Sequence, residues 1–449
     1  MTETLNETKP VSESKGIRFL SAGSAGVAML TLAKGTLGAG ILALPQKAMY
    51  GGIPLFLVLL FIGGYFTTKS IEMIAKGCQY TNKYVFEEVT ESLLGRKMAI
   101  TLGVSMLLNC YGASIIYVMA IKGAFSCLLT EVVASTGQEW SMYATIILGG
   151  AILVPLSVVE KINSLRILSL AGVVGVFFTT ASVIYALGYD GVAADLSAPP
   201  ASSTWTTIMT PTGSFIQIIG VISAVTFAFC NQFNVPQVYG ELVDKRAGTV
   251  KKIAVISTIL PSILYIITAI TGYLAVGLAT EDNIFINMKP LIRAGKVLVY
   301  FGVLAVVLSV AMCHLLNNFP MRLSVVYFVP SHWAESKWIR FGVPLFTAVS
   351  TIVIAIFYDN LSVVLGLVGA LTGSVICYIV PALFSVRVDE IQKATEQLPG
   401  QPAPVVKKSL TNRAMYYLKN YPVEVLMVIL GFLIGIVGTF SEFYTCFKK

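Results

Sequence analysis

Apolar residues gather into long runs of about twenty positions, not the roughly ten alternating ones that cross a bilayer as a barrel strand. Eleven such runs predict eleven transmembrane helices, at approximately 24–48, 52–76, 98–128, 141–159, 163–188, 213–240, 250–279, 295–321, 340–358, 361–385 and 422–446. The fold class this predicts is an all-α membrane protein. Two of the runs carry a defect. In the first, GTLGAGILALP from Gly35 to Pro45, with Lys34 just before it, places Gly35, Thr36, Gly38 and Gly40 within an otherwise apolar segment. A glycine costs a helix interior roughly 1 kcal/mol against alanine, and a lysine at mid-membrane costs at least about 2.5 kcal/mol. A helix that carries both is expected to open there and turn free N–H and C=O groups toward a ligand. The sixth run repeats the order: CNQFNVPQVYGEL (230–242) puts Asn231, Gln232 and Asn234 before Pro236, as the first puts its glycines before Pro45. Interrupted spans at matching places in two halves mark the midplane site of a secondary transporter. Close packing of small residues and an ordinary proline kink are the plain alternatives for each break taken singly.

Of 449 residues, 56% are hydrophobic and 12% are charged, about half the charge of a soluble domain. The net charge of +8 follows from basic loops, so no nucleic-acid partner is expected. With the N-terminus in the cytosol, 23 Lys and Arg fall in inner segments and 6 in outer ones, Lys47 among the latter, while Lys34 and Lys122 fall inside spans. That bias predicts a cytoplasmic N-terminus and an extracellular or lumenal C-terminus. The expected organisation is a polar tail at 1–23, a ten-helix transport core at 24–385, a cytoplasmic linker at 386–421 containing QLPGQPAP, and an eleventh helix with a short C-terminus at 422–449. Tyr84 to Leu94 reads as an amphipathic segment at the inner surface. The outer loop 189–212 is rich in Ala, Ser, Pro and Thr and is expected to be mobile. Seven cysteines form no CxxC pair, so neither a disulfide framework nor a metal site is expected, and no cofactor.

At its two breaks the chain resembles the amino acid/auxin permease family. LAKGTLGAGILALP (32–45) is similar to that family's first span, and TFAFCNQFNVPQVYGEL (226–242) to its sixth. YGASIIYVMAIKGAF (111–125) resembles the third span, GYLAVGLATEDNIFINM (272–288) the loop after the seventh, and NNFPMR (317–322) the end of the eighth. The last third matches by span pattern only. The overall look is similar to the amino acid permeases of trypanosomatid parasites. The resemblance implies a LeuT-type five-plus-five inverted repeat with helices one and six broken, an eleventh helix, and transport of free amino acids. It implies that N–H groups around Gly38, Ala39 and Gly40, beside Thr36, hold the substrate carboxylate. Phe227, Ala228, Phe229 and Asn231 would hold the amino group through carbonyls and line a side-chain pocket. Tyr117 is a carboxylate partner through its hydroxyl, or an ordinary core tyrosine.

Lys34 is the expected ion-coupling residue. In sodium-coupled relatives the position resembles an Asn that helps ligate sodium, whereas proton-coupled relatives resemble this chain in carrying Lys. An ammonium replaces a bound cation electrostatically and repels a second one, so independence from sodium is expected. A proton is then the candidate partner, with facilitated diffusion or a purely structural cation as alternatives. Lys122 is expected to snorkel outward, His314 to be a bonded core histidine, and Glu241 to pair at the surface with Lys245 or a loop Arg. No Asp or Glu lies in the middle of spans one, three, six or eight, which favours neutral amino acids, with arginine, lysine or ornithine the alternative. No HExxH or GxSxG motif is present, so an enzyme is not expected. A receptor retaining the transporter fold is the remaining rival. Plasma membrane is the default location, with vacuole or lysosome as alternatives.

Overall fold

The computed structural model describes residues 21–132, 150, 153, 155, 162–189, 208–334, 336–358, 360–397 and 416–447. Among these residues the chain is helical, with no strand. Among the described residues nine helices are long and apolar enough to cross a membrane, or ten when the bent pair is taken as one span. The predicted span at 141–159 lies almost wholly outside the described residues, as do most of the 189–212 loop and the QLPGQPAP segment.

The first crossing is divided between α1 (Ala25–Thr36) and α2 (Gly40–Gly51), which meet at 56°. Gly52, at φ +70°, then turns the chain into α3 (Ile53–Thr81). A Cβ there would stand 2.9 Å from the Thr210 backbone, so glycine is needed both for its torsion and for the close approach. Next come α4 (Phe86–Leu94), α5 (Arg96–Val132) and α6 (Ile162–Leu187). The sixth predicted run is α7 (Phe215–Ala228) and α8 (Val235–Glu241), separated by an irregular segment and a single 3-10 turn at Gln232–Asn234. A capping box, Ser214 with Gln217, starts α7. The remaining crossings are α9 (Ala247–Val276), α10 (Val297–Phe328), α11 (Val343–Phe357), α12 (Leu361–Glu396) and α13 (Pro422–Phe447). α12 continues past the predicted span end at 385, and its middle, Gly369–Ile379, widens into a π-helix.

The interior is arranged around the divided helices. α1 packs on α6 and α9, and α2 on α7 and α9. α10 lies along α5 and α6 and borders the first break. α13 is peripheral, with only 17% of its apolar window buried.

The amphipathic segment expected near Tyr84 is α4, and it is anchored more firmly than a surface helix needs. Glu87 is fully buried and accepts a hydrogen bond from Ser324 Oγ on α10, and the Tyr327 hydroxyl donates to Glu91 at 2.8 Å. Burial raises the Glu87 carboxyl above its ordinary 4.5. A carboxyl whose folded pKa exceeds its unfolded one contributes most stability below about 4.5 and loses it as pH rises through the raised value. Glu87→Gln is therefore expected to flatten the pH dependence of thermal unfolding as pH rises above about 4.5. An unchanged slope would contradict this.

Candidate functional site

The site is built where the two breaks touch. A methyl added at Gly40 would stand 3.4 Å from Ala228 Cα and 4.0 Å from Phe227 Cδ1, so the start of α2 packs directly on the end of α7. On its other side, a methyl at Gly38 would stand 3.4 Å from Tyr117 Cε1 and 3.6 Å from its hydroxyl. Gly38 is half-buried between Leu37 and Ala39, both fully buried. A small space therefore remains between the first break and α5. Tyr117, named from the sequence as a carboxylate partner or a core tyrosine, thus lies next to Gly38.

The backbone groups divide into those already engaged and those left open. Gly38 N–H donates to Thr36 O at 2.8 Å and Leu42 N–H to Ala39 O at 3.1 Å. Gly38 thus supplies space, and the N–H groups of Ala39, Gly40 and Ile41 are the donors left open among the described residues. These head α2 and lack acceptors within their helix, where the dipole favours an anion. At the second break, Phe227 O accepts from Cys230 N–H at 2.9 Å and Ala228 O from the Tyr265 hydroxyl at 2.9 Å. The carbonyls of Phe229 and Cys230 receive no backbone donor among the described residues. They are the open acceptors. The Phe229 ring packs at 5.7 Å edge-on to Tyr265.

Three side chains hold the breaks open. Lys34, 0% exposed, donates from Nζ to Leu37 O at 2.6 Å, to Ser309 Oγ at 2.8 Å and to Cys313 Sγ at 2.9 Å. The ammonium thus occupies the carbonyl end of α1 and ties it to α10, where a helix C-terminus favours positive charge. Its stem lies against Gly172, where a Cβ would fall 2.7 Å from Lys34 Cδ. Asn231 donates to Leu32 O at 2.6 Å and accepts from Asn234 Nδ2 at 2.5 Å. Its side chain braces one break against the other helix, while its N–H donates to Gln232 Oε1 at 2.8 Å and its carbonyl accepts from Asn234 N–H at 3.1 Å, so Asn231 shapes the break and does not offer a ligand an open group. Tyr265, on α9, lies with its hydroxyl 2.5 Å from Thr36 O and 2.9 Å from Ala228 O, bridging carbonyls released by both breaks. Thr36 Oγ1 itself donates to Leu32 O. Nothing in the sequence separates Tyr265 from nineteen other tyrosines, or marks Ser309 and Cys313 as partners of Lys34.

Several outlying expectations are corrected. Lys122 does not snorkel outward: its Nζ donates to Ala355 O at 3.0 Å and caps the carbonyl end of α11. Lys47, assigned to an outer segment, is buried in α2. Lys245 donates to the Tyr84 hydroxyl at 3.1 Å and lies over the rings of Tyr84 and Tyr239, and no ion pair joins it to Glu241 among the described residues. His314 is buried, its ring edge-on to Tyr117 at 6.4 Å.

Two vestibules approach the breaks. From the face carrying the N-terminus, a cavity of about 330 Å³ runs past Ser24, Val27 and Glu241 up to Thr31 and Asn234. From the opposite face, a chamber of about 410 Å³ reaches Gln46 and Lys47. No group of three or more metal-ligating side chains exists among the described residues.

Known structures share this architecture. The crystal structure of MhsT in complex with L-phenylalanine aligns with a TM-score of 0.58, covering 91% of this chain and 98% of that one at 14% identity. A manganese transporter from Eremococcus coleocola aligns with a TM-score of 0.55, covering 97% and 88% at 13% identity. Both are LeuT-fold transporters, and that fold is the one seen here. One structure holds an amino acid and the other protein is named for a metal ion, so the fold alone does not choose a cargo. Sequence relatives are more specific. A sodium-coupled neutral amino acid symporter 2 from Danio rerio is 23% identical over 388 residues, covering 82% of this chain and 76% of the relative. Amino acid transporter AVT6E from Arabidopsis thaliana is 22% identical over 436 residues, covering 94% and 83%. Vacuolar amino acid transporter 6 from Saccharomyces cerevisiae is 24% identical over 314 residues, covering 69% and 67%. Residues 21–403 match the family described as transmembrane amino acid transporter protein. The broken helices thus belong to a multi-pass carrier scaffold, and the chain is a member of the transmembrane amino acid transporter family.

Proposed function

We propose that this protein carries free neutral amino acids by alternating access, without sodium. The observation that carries the reading is the meeting of the two breaks beside Lys34. The N–H groups of Ala39, Gly40 and Ile41 face an anion's place and the carbonyls of Phe229 and Cys230 an ammonium's place, while Lys34 already fills the cationic position at the end of α1. The substrate carboxylate lies between the head of α2 and the Tyr117 hydroxyl, and the amino group lies on the second break. Gly38 leaves room for the carboxylate. A further cation beside Lys34 would be repelled, so sodium has no role, and a proton gradient is the driving force to be tested.

The cavity at the amino-terminal face and the chamber opposite are the two ends of the path. The distribution of basic residues supports a cytosolic amino-terminal face. The Danio rerio relative is named for sodium coupling, which makes sodium the decisive variable. The test is uptake of labelled leucine, glutamine, glutamate and lysine into proteoliposomes, with sodium and proton gradients imposed separately. Saturable uptake of leucine or glutamine, unchanged when choline replaces sodium, is expected. Saturable uptake that requires sodium overturns the ion assignment, and uptake confined to lysine overturns the substrate class.

A further inference from the structure

The chamber opposite the amino-terminal face contains more charge than a passage requires. Gln46, Lys47, Glu281, Asp282, Ser362 and Glu442 line it. Glu442 comes from α13, a peripheral helix, and is itself only 4% exposed. Two glycines make its slot. A Cβ at Gly220 would stand 2.8 Å from Glu442 Oε1 and 3.9 Å from Lys47 Nζ, and a Cβ at Gly366 would overlap the carboxylate. An ionisable side chain inside a membrane protein is costly and characteristically faces a cavity with a task.

The chamber also holds unanswered hydrogen-bonding groups. Glu442 Oε1, Gln46 Oε1 and Ser362 Oγ have no hydrogen-bond partner among the described residues. Two of these are obligate acceptors, and three carboxylates, with Glu281 exposed at the rim, share the lining with one ammonium, that of Lys47, itself 4% exposed. The set calls for a cationic donor beside Glu442 and offers an anion a place on Lys47. A volume of about 410 Å³ suits a small organic molecule better than one bare ion.

We propose that this chamber is a second binding site for a free amino acid, with its ammonium on the oxygens of Glu442 and Gln46 and its carboxylate on Lys47. The ligand class rests on the carrier reading above. On this assignment α13 supplies part of the substrate path.

The test is equilibrium binding of labelled leucine, glutamine and lysine, in turn, to the full chain in lipid nanodiscs. Two molecules per chain are expected. Glu442→Gln should weaken one of them by about tenfold or more, the scale of a lost charged partner, and leave the other unchanged. Gly38→Val should remove the other and spare the chamber. If Glu442→Gln is not monodisperse, Glu281→Gln combined with Asp282→Asn reads the same site. A single bound molecule that neither set of chamber variants alters overturns the proposal. So does radiolabelled sodium bound in a Glu442-dependent way where no amino acid binds. Absence of amino acid binding at both sites overturns the carrier reading as well.

Discussion

Lys34→Met is expected to lower uptake by about one to two orders of magnitude while leaving a folded protein. Methionine keeps the length of the stem and removes the ammonium, so Leu37 O, Ser309 Oγ and Cys313 Sγ lose their common donor. A buried acceptor left unpaired costs about 1–3 kcal/mol, and each 1.4 kcal/mol depopulates the binding-competent break about tenfold. The chain would recover those bonds by rewinding the first break, which closes the N–H groups that face the substrate. Uptake is expected to fall by about one to two orders of magnitude on this arithmetic. Lys34→Arg should not rescue it, because Gly172 lies against the stem where a larger head group would need room. Initial-rate uptake, with gel filtration as the control for folding, reads the result. Near-normal uptake by Lys34→Met would show that the ammonium does not shape the site.

The second large effect is expected at Gly369, where α12 enters its widened segment. A Cβ there would stand 2.9 Å from Phe227 Cβ and 3.0 Å from Phe227 N, and would overlap Ser223 O. Two of these are backbone atoms at the end of α7, so relief requires moving the second break itself. Overpacking of this kind costs about 1–3 kcal/mol. Gly369→Ala is expected to lower thermal stability by that amount and transport by about tenfold or more. By contrast, Gly295→Ala, in an open position at φ +68°, should affect stability modestly and transport hardly at all. Equal effects of the two on transport would contradict the role given to the α12 contact.

Much of this was legible in the chain. Glycines and a lysine inside one apolar run, and amides before a proline in another, announced both breaks because such residues are unfavourable in lipid unless the backbone opens. Their contact was not legible. That Gly40 lies on Ala228, and that Asn231 reaches Leu32, depends on a crossing of helices nearly two hundred residues apart in sequence. The partners of Lys34 were hidden for the same reason: a serine and a cysteine on α10 look like ordinary interior filler until the ammonium is placed. Tyr265 lies in an apolar span where an aromatic ring needs no explanation, and only the two released carbonyls give its hydroxyl meaning. Lys47 was misplaced because counting charges by segment cannot tell a loop from the last turns of a helix. Lys122 was misread because the exposed carbonyl end of α11, which it caps, is invisible in its own local sequence.

The central claim is that the two breaks grip the substrate between the head of α2 and α5, in the space Gly38 leaves before Tyr117. Its most direct test is initial-rate uptake of the preferred amino acid by Gly38→Ala and Gly38→Val against the native protein. The methyl and then the isopropyl group progressively fill the space beside the Tyr117 hydroxyl. The account predicts a graded rise in KM, from several-fold for alanine to no measurable uptake for valine, with both proteins folded. Native KM and rate in the valine variant would contradict it.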